Sequence, residues 1–152
     1  TITVFIGNLS TTDTVTNKNN DGPGSLRQTV AEACVGDTIR FDQSLLTAAV
    51  DSISLTTAIQ LSKELTIIGL YDANDTLFIS GAANSNIFGI GNVGTVTLDS
   101  LVLINGKTLY GGAIHHVNGD SLIISNTIFR NCFATSNFGG GAIINYGNTV
   151  FL

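Results

Sequence analysis

Short runs of alternating hydrophobic and polar residues recur along the chain at nearly constant spacing. Four of these runs begin at Leu65, Val96, Leu122 and Val150. The runs are rich in Ile, Leu, Val, Phe and Thr and are bounded by Gly, Asn, Asp and Ser. Such runs are typical of short β-strands that place one face in a core and the other outside.

A second marker repeats with a similar period. The sequence Gly-Gly-Ala-Ile occurs twice, as Gly111, Gly112, Ala113, Ile114 and as Gly140, Gly141, Ala142, Ile143. Residues 98–106 also align with residues 124–132, which places Leu103 beneath Phe129 and Asn105 beneath Asn131. A period of this length predicts coils that stack and bury a common core.

The pattern therefore predicts an all-β protein, a right-handed parallel β-helix with a short N-terminal capping α-helix. No long amphipathic segment follows residue 36, which argues against a helical solenoid. An up-and-down barrel or a sandwich also uses short strands between turns, but the repeating coil length favours the β-helix. We expect one structural domain, with an N-terminal strand and the capping helix in residues 1–36 and about four coils in residues 37–152.

The last residues, Val150, Phe151 and Leu152, are predicted to begin another coil. The predicted rod is therefore incomplete at its C-terminal end, and an uncovered strand edge is a template for pairing. We expect either continuation in a longer chain or head-to-tail self-association into a fibre. The chain starts at Thr1 without Met, as a processed mature protein or an excised fragment would.

The one predicted helix spans residues 25–34. Ser25 is placed as its N-cap, and Gln28 three positions later completes a capping box. Gly36 supplies the C-cap position, and an apolar face begins at Leu26. A single amphipathic helix must cover something, and we expect it to lie over the open end of the first coil.

Composition narrows the function classes. The net charge of −5 and the pI near 4.6 argue against nucleic acid and anionic lipid as partners. No apolar run approaches the roughly 20 residues that cross a bilayer, so no membrane insertion is expected. Cys34 and Cys132 fit no metal-binding spacing. They are interpreted as two buried thiols, with a disulfide as the alternative.

Candidate chemistry is sparse, and we predict no catalytic, cofactor-binding or metal-binding residues. Asp72 and Asp75 could flank a cation in one loop, but turn formation explains them more simply. Asp99 is followed one coil later by Ser125, which gives no pair of carboxylates. His115 and His116 are adjacent on a predicted strand and so point to opposite faces.

Two segments resemble a known group of proteins. Residues 14–33 and 36–42 resemble the N-terminal module of large bacterial secreted right-handed β-helix proteins. The Gly-Gly-Ala-Ile segments and Phe129-Arg-Asn-Cys132 are similar to repeats of chlamydial polymorphic outer membrane proteins and related surface adhesins. The resemblance implies a secreted or bacterial cell-surface module that acts in adhesion or display, with a surface glycan or a protein as its ligand. A polysaccharide-binding or pectate-lyase-like β-helix is the alternative.

Overall fold

The chain folds as a parallel β-solenoid of about five turns with one short helix. The computed structural model describes residues 12–70, 75–91, 93–118, 121–137 and 139–151. The N-terminal elements are the strand β1 (Thr12–Val15), the helix α1 (Leu26–Glu32), the strand β2 (Thr38–Phe41) and a 3-10 helix (Gln43–Leu45). The later strands, in chain order, are β3 (Asp51–Ser54), β4 (Ile59–Leu61), β5 (Leu65–Ile68), β6 (Leu77–Ser80), β7 (Phe88–Ile90), β8 (Thr95–Asp99), β9 (Val102–Ile104), β10 (Lys107–Thr108), β11 (Ile114–His116), β12 (Ser121–Ser125), β13 (Ile128–Arg130), β14 (Phe133–Ala134), β15 (Ile143–Asn145) and β16 (Thr149–Phe151).

The strands form parallel sheets along the sides of the solenoid. Sheet A has the order β1-β2-β5-β8-β12-β16, sheet B the order β3-β6-β9-β13 and sheet C the order β4-β7-β11-β15. A fourth, two-stranded sheet joins β10 to β14. Each strand therefore pairs with strands one coil away in the sequence. This confirms the parallel β-helix predicted from the repeat.

The registers confirm most of the predicted alignments. Val96 pairs with Leu65 on one side and with Leu122 on the other. Ile114 pairs with Ile143, so the two Gly-Gly-Ala-Ile segments stack. The last alignment was wrong by a single position, because Leu122 pairs with Thr149 and not with Val150. Leu152 lies outside the described residues, as do residues 1–11 of the segment in which an N-terminal strand is predicted.

The core runs through the centre of the coils and is almost entirely aliphatic. Along β8 and β12, buried positions alternate with half-buried ones, as the predicted two-faced strands require. Phe88 is the largest of the fully buried side chains. It pairs with Ile59 on one side and Ile114 on the other, so three coils meet at this ring.

The predicted stacking of Asn131 on Asn105 has a backbone cause. Asn105 and Asn131 have φ values of 53° and 52°, in the left-handed region that asparagine tolerates better than most residues. Ser100 and Asn126 repeat the arrangement at another corner, with φ values of 54° and 46°. The recurring polar residues thus mark corners where the chain turns from one sheet to the next.

The capping helix is present, but one half of its predicted capping box is not. Ser25 is the N-cap, and its hydroxyl accepts a hydrogen bond from the Gln28 backbone N–H at 3.2 Å. The Gln28 side chain instead donates to Glu32, at 2.6 Å. The helix ends at Glu32 with Ala33 as its C-cap, so the predicted C-cap role of Gly36 was wrong.

We expect Ser25→Ala to lower the free energy of unfolding by about 1 kcal/mol, because a helix N–H loses its acceptor. Gln28→Ala removes only an exposed side-chain pair and should cost about 0.3 kcal/mol. Urea denaturation of both variants measures the difference. Equal losses would contradict the one-sided cap.

Candidate functional site

The N-terminal end of the solenoid is closed by the segment that contains α1. The β1 strand pairs with β2, and α1 packs against β1 and β4, the outermost strand of sheet C. Leu26 and Val30 of the helix are buried in the common core. The helix therefore occupies, in the first turn, the place that a sheet C strand takes in the later turns. This agrees with the covering role predicted from its amphipathic face.

Two cationic side chains bond the segment that contains α1 (the cap) to the first coil, and their acceptors are backbone carbonyl oxygens. The Arg27 guanidinium donates to the carbonyls of Thr57 and Ala58, at 2.5 and 2.9 Å. The Lys63 ammonium donates to the carbonyls of Ala31 and Ala33 at the end of the helix, at 2.9 and 2.5 Å. Lys63 thus supplies donors to carbonyls in the last turn of the short helix.

A third cation fastens the loop before the helix to sheet B. Lys18 bonds to the Asp51 carboxylate at 2.5 Å, and the Asp51 side chain is only 6% exposed. The carboxylate also accepts from the backbone N–H groups of Thr47 and Ala48, at 2.6 and 2.9 Å. These bonds hold the pKa of Asp51 well below its usual range, and the bond from the Lys18 ammonium has the largest effect.

This ion pair makes stability depend on pH in a defined direction. Because the folded pKa is depressed, the stabilisation is present above the ordinary carboxyl pKa of 3.8 and is lost as the pH falls below it. Asp51→Asn should lower Tm at pH 7 by several degrees and flatten its decline toward pH 3. Thermal melts between these pH values measure this, with the exposed Asp21→Asn as control. Parallel curves for Asp51→Asn and the wild type would contradict the assignment.

A second carboxyl group at this end behaves in the opposite way. Burial, and then the neighbouring charge of Asp37, raise the pKa of Asp13. Asp37 is itself 1% exposed and accepts from the Cys34 backbone N–H at 2.5 Å. Since its folded pKa is raised, Asp13 contributes stability that is present at low pH and is lost as the pH rises through that pKa.

The C-terminal end has unpaired strand edges among the described residues, as β1 and β3 do at the other end, but no described helix packs there as α1 packs on β4. Strands β13, β14, β15 and β16 each pair on one side only among those residues. The core is also less completely covered at this end. Its last apolar side chains are only partly buried, namely Phe129, Cys132 and Ile143. Phe129 and Ile143 are among the residues that the sequence assigned to the repeat and to assembly.

The Gly-Gly-Ala-Ile segments stack closely beside this end. The backbone N–H of Gly112 donates to Gly141 at 2.8 Å, and that of Ala113 donates to Ala142 at 2.7 Å. Gly111 adopts a φ of 60°, and a Cβ there would overlap the Ile114 carbonyl oxygen and the Ile144 backbone. Glycine is therefore required at Gly111 by conformation and by contact.

The remaining candidate residues do not assemble into a reactive site. The Asp99 carboxylate accepts from Ser125 at 2.6 Å and from Asn126 at 3.0 Å, which lowers its pKa. No group of three potential metal ligands occurs in the described ranges, and Asp72 lies outside them. Cys34 and Cys132 are free, as favoured from the sequence, but each is only half-buried.

The two histidines lie on opposite faces, as predicted. His116 is 1% exposed and its Nδ1 lies 2.6 Å from the Asn145 side-chain oxygen, which makes Nδ1 the donor. Its buried Nε2 has no hydrogen-bond partner. His115 is half-buried on the outer face of sheet C, beside the rings of Tyr110 and Tyr146.

The comparisons with protein-family models, curated proteins and solved structures returned no match. Within the described ranges, no helix has the length and hydrophobicity that a membrane span requires. The fold itself defines the class, a β-solenoid repeat protein.

Proposed function

We propose that this chain is a non-catalytic, secreted or cell-surface β-solenoid module whose C-terminal end is covered by further β-strands when it works. The contrast between its two ends carries the proposal. At one end, α1 packs on β4, and Arg27 and Lys63 bond it to the first coil. At the other, strand edges and a partly exposed core are left open among the described residues.

Edges of this kind stabilise a strand that is added to them, because their N–H and C=O groups are already aligned. Further coils of the same period would continue all three main sheets in register and bury Phe129 and Ile143. A bacterial adhesin or display role is consistent with the resemblance of residues 14–42 and of the Gly-Gly-Ala-Ile segments to secreted surface proteins.

In isolation, the open end should pair with a second copy. The helix packs on the sheet C edge of the opposite end, so two C-terminal ends facing each other are favoured over head-to-tail contacts. Such a contact is self-complementary and closes as a two-fold dimer, whereas head-to-tail contacts would propagate into a fibre.

Sedimentation velocity at rising protein concentration tests this proposal. The chain should pass from a 15.8 kDa species to a dimer. Phe129→Glu places a charge on the open end and should abolish the dimer. The matched control is Val50→Glu, since Val50 is 68% exposed and lies near the capped end. A monomer at every concentration would contradict the proposal, and negative-stain images of filaments would show head-to-tail assembly instead.

The absence of catalysis is tested separately. A panel of polysaccharides, incubated with the chain with and without Ca²⁺, should show no cleavage. Turnover that survives repeated purification would establish the lyase-like alternative.

A further inference from the structure

The outer face of sheet C carries a row of positions outside the core cluster, of which Gly89 and Ile144 are buried, His115 is half-buried and Gln60 is exposed. Gln60, Gly89, His115 and Ile144 follow one another across β4, β7, β11 and β15. Neighbouring strands lie about 4.8 Å apart, so Gln60 and His115 are separated by about 10 Å along the solenoid. The row therefore crosses several coils on one side of the molecule.

The C-terminal half of the row is aromatic. The His115 ring lies between those of Tyr110 and Tyr146, with centroid distances of 6.4 and 6.5 Å. Tyr110 is 42% exposed and Tyr146 is 61% exposed. Neither tyrosine belongs to the core, so these rings present flat apolar surfaces with polar tips to the solvent.

The other half of the row enters a groove between α1 and β4. The groove has a volume of about 350 Å³, and its lining includes Arg27, Gln60 and Lys63. Gln60 belongs to both the groove and the row. A Cβ at Gly89 would lie only 2.7 Å from the Gln60 Nε2, so the missing side chain allows the amide to extend toward His115. The groove and the rings thus lie along the same sheet of the solenoid.

The groove carries positive charge that no carboxylate neutralises by direct contact within the described part of the chain. Among the described residues, the one salt bridge joins Lys18 to Asp51, and neither residue lines the groove. Arg27 bonds only to neutral oxygens, those of Asn20, Thr57 and Ala58. Lys63 bonds to helix carbonyls, and it also acts at longer range on Asp13. The groove lining therefore contains two cations and no carboxylate, whereas Lys63 also has Asp13 in its neighbourhood, so an anionic group is favoured beside Arg27.

We propose that this surface binds an acidic oligosaccharide that lies along the solenoid axis. Sugar rings stack on Tyr110, His115 and Tyr146, and a carboxylate of the ligand lies at the groove beside Arg27. A sugar has an apolar C–H face that packs on an aromatic ring and hydroxyls that bond to amide and imidazole groups. Aromatic rings with a few polar groups are the usual lining of such sites. The inference does not depend on how the open C-terminal end is covered.

Binding is tested on an immobilised panel of uronate-containing hexasaccharides and their neutral counterparts. One pair is a β-1,4-linked mannuronate hexamer and mannohexaose, which differ only in the carboxylate. We expect at least one acidic member to bind, at least about tenfold more tightly than its neutral partner, with weaker binding at high salt. This pair of ligands tests the charge without changing the protein. Substitution of Arg27 or Lys63 would not, because both side chains also bond α1 to the first coil.

The aromatic contact is tested by Tyr110→Ala and Tyr146→Ala, each of which should raise Kd at least about tenfold. Both residues are exposed, so the variants should fold, as checked by circular dichroism. Phe133→Ala is the matched control, because Phe133 is 46% exposed but belongs to β14, outside sheet C. The proposal is wrong if no acidic oligosaccharide binds at about 1 mM. It is also wrong if the neutral partner binds equally, or if Phe133→Ala weakens binding as much as the tyrosine variants.

Discussion

Phe88→Ala should lower the free energy of unfolding by about 4 kcal/mol, among the largest effects that one substitution can have here. The Phe88 side chain is fully buried between Ile59 and Ile114, so its loss leaves a cavity shared by three coils. Strand pairing holds these coils at fixed spacing, which prevents them from collapsing into the space. Urea denaturation followed by far-UV circular dichroism measures the change.

Phe133→Ala removes the same side chain from the surface and serves as the control. Phe133 contacts the Lys107 ammonium, which lies 5.4 Å from the ring centroid. Its loss should cost less than about 1 kcal/mol. Similar losses for the two variants would mean that Phe88 is not enclosed as the fold requires.

Gly106→Ala is the second large effect, at about 3 kcal/mol. A Cβ at Gly106 would overlap the Gly112 carbonyl oxygen and lie 3.1 Å from the Ala113 Cα. These are backbone atoms of a tightly stacked region, and they cannot rotate away as a side chain would. The chain must instead shift, which strains the pairing of β10 with β14 next to it.

Gly91→Ala is the matched control, because a Cβ at Gly91 meets no atom within 4 Å. It should change stability by less than about 0.5 kcal/mol. Thermal and urea unfolding of the two alanine variants separate the steric effect from the general effect of adding a methyl group. The close approach at Gly106 is disproved if both variants are equally stable.

The repeat made the fold predictable because each coil repeats the chemistry of its neighbour. The Gly-Gly-Ala-Ile segments and the Asn105 and Asn131 corners align in the structure as they do in the sequence. Where the residue types of neighbouring coils differ, the sequence predicts the strand register less well. The strand at Val150 was placed one position out of register, because its apolar residues offered no second marker such as an asparagine corner.

The contacts of the cap could not be derived in this way. Lys18 and Asp51 are far apart in the sequence and belong to no repeated pattern. Gln28 matched the capping-box spacing, but Glu32 one turn later competes for the same side chain. Such choices depend on which partner the tertiary structure brings closer.

The row on sheet C was also missed, although part of its signal was present. His115 was recognised as one of two histidines on opposite faces, but Gln60 and Gly89 align with it only when coils of unequal length are placed in register. The stretch of chain from Gln60 to Gly89 is longer than the stretch from Gly89 to His115. The structure supplies these unequal offsets, and with them the surface.

The position of α1 in the first turn also gives folding a direction. The helix is local in sequence, and β1 pairs with β2, the next strand along the chain, so the first turn can close without waiting for distant segments. Each later coil can then pair with the strand edges of the coil before it, which has already folded. During synthesis the solenoid would therefore grow from the ribosome-distal end, with the unpaired edges of the newest coil exposed at the growing end.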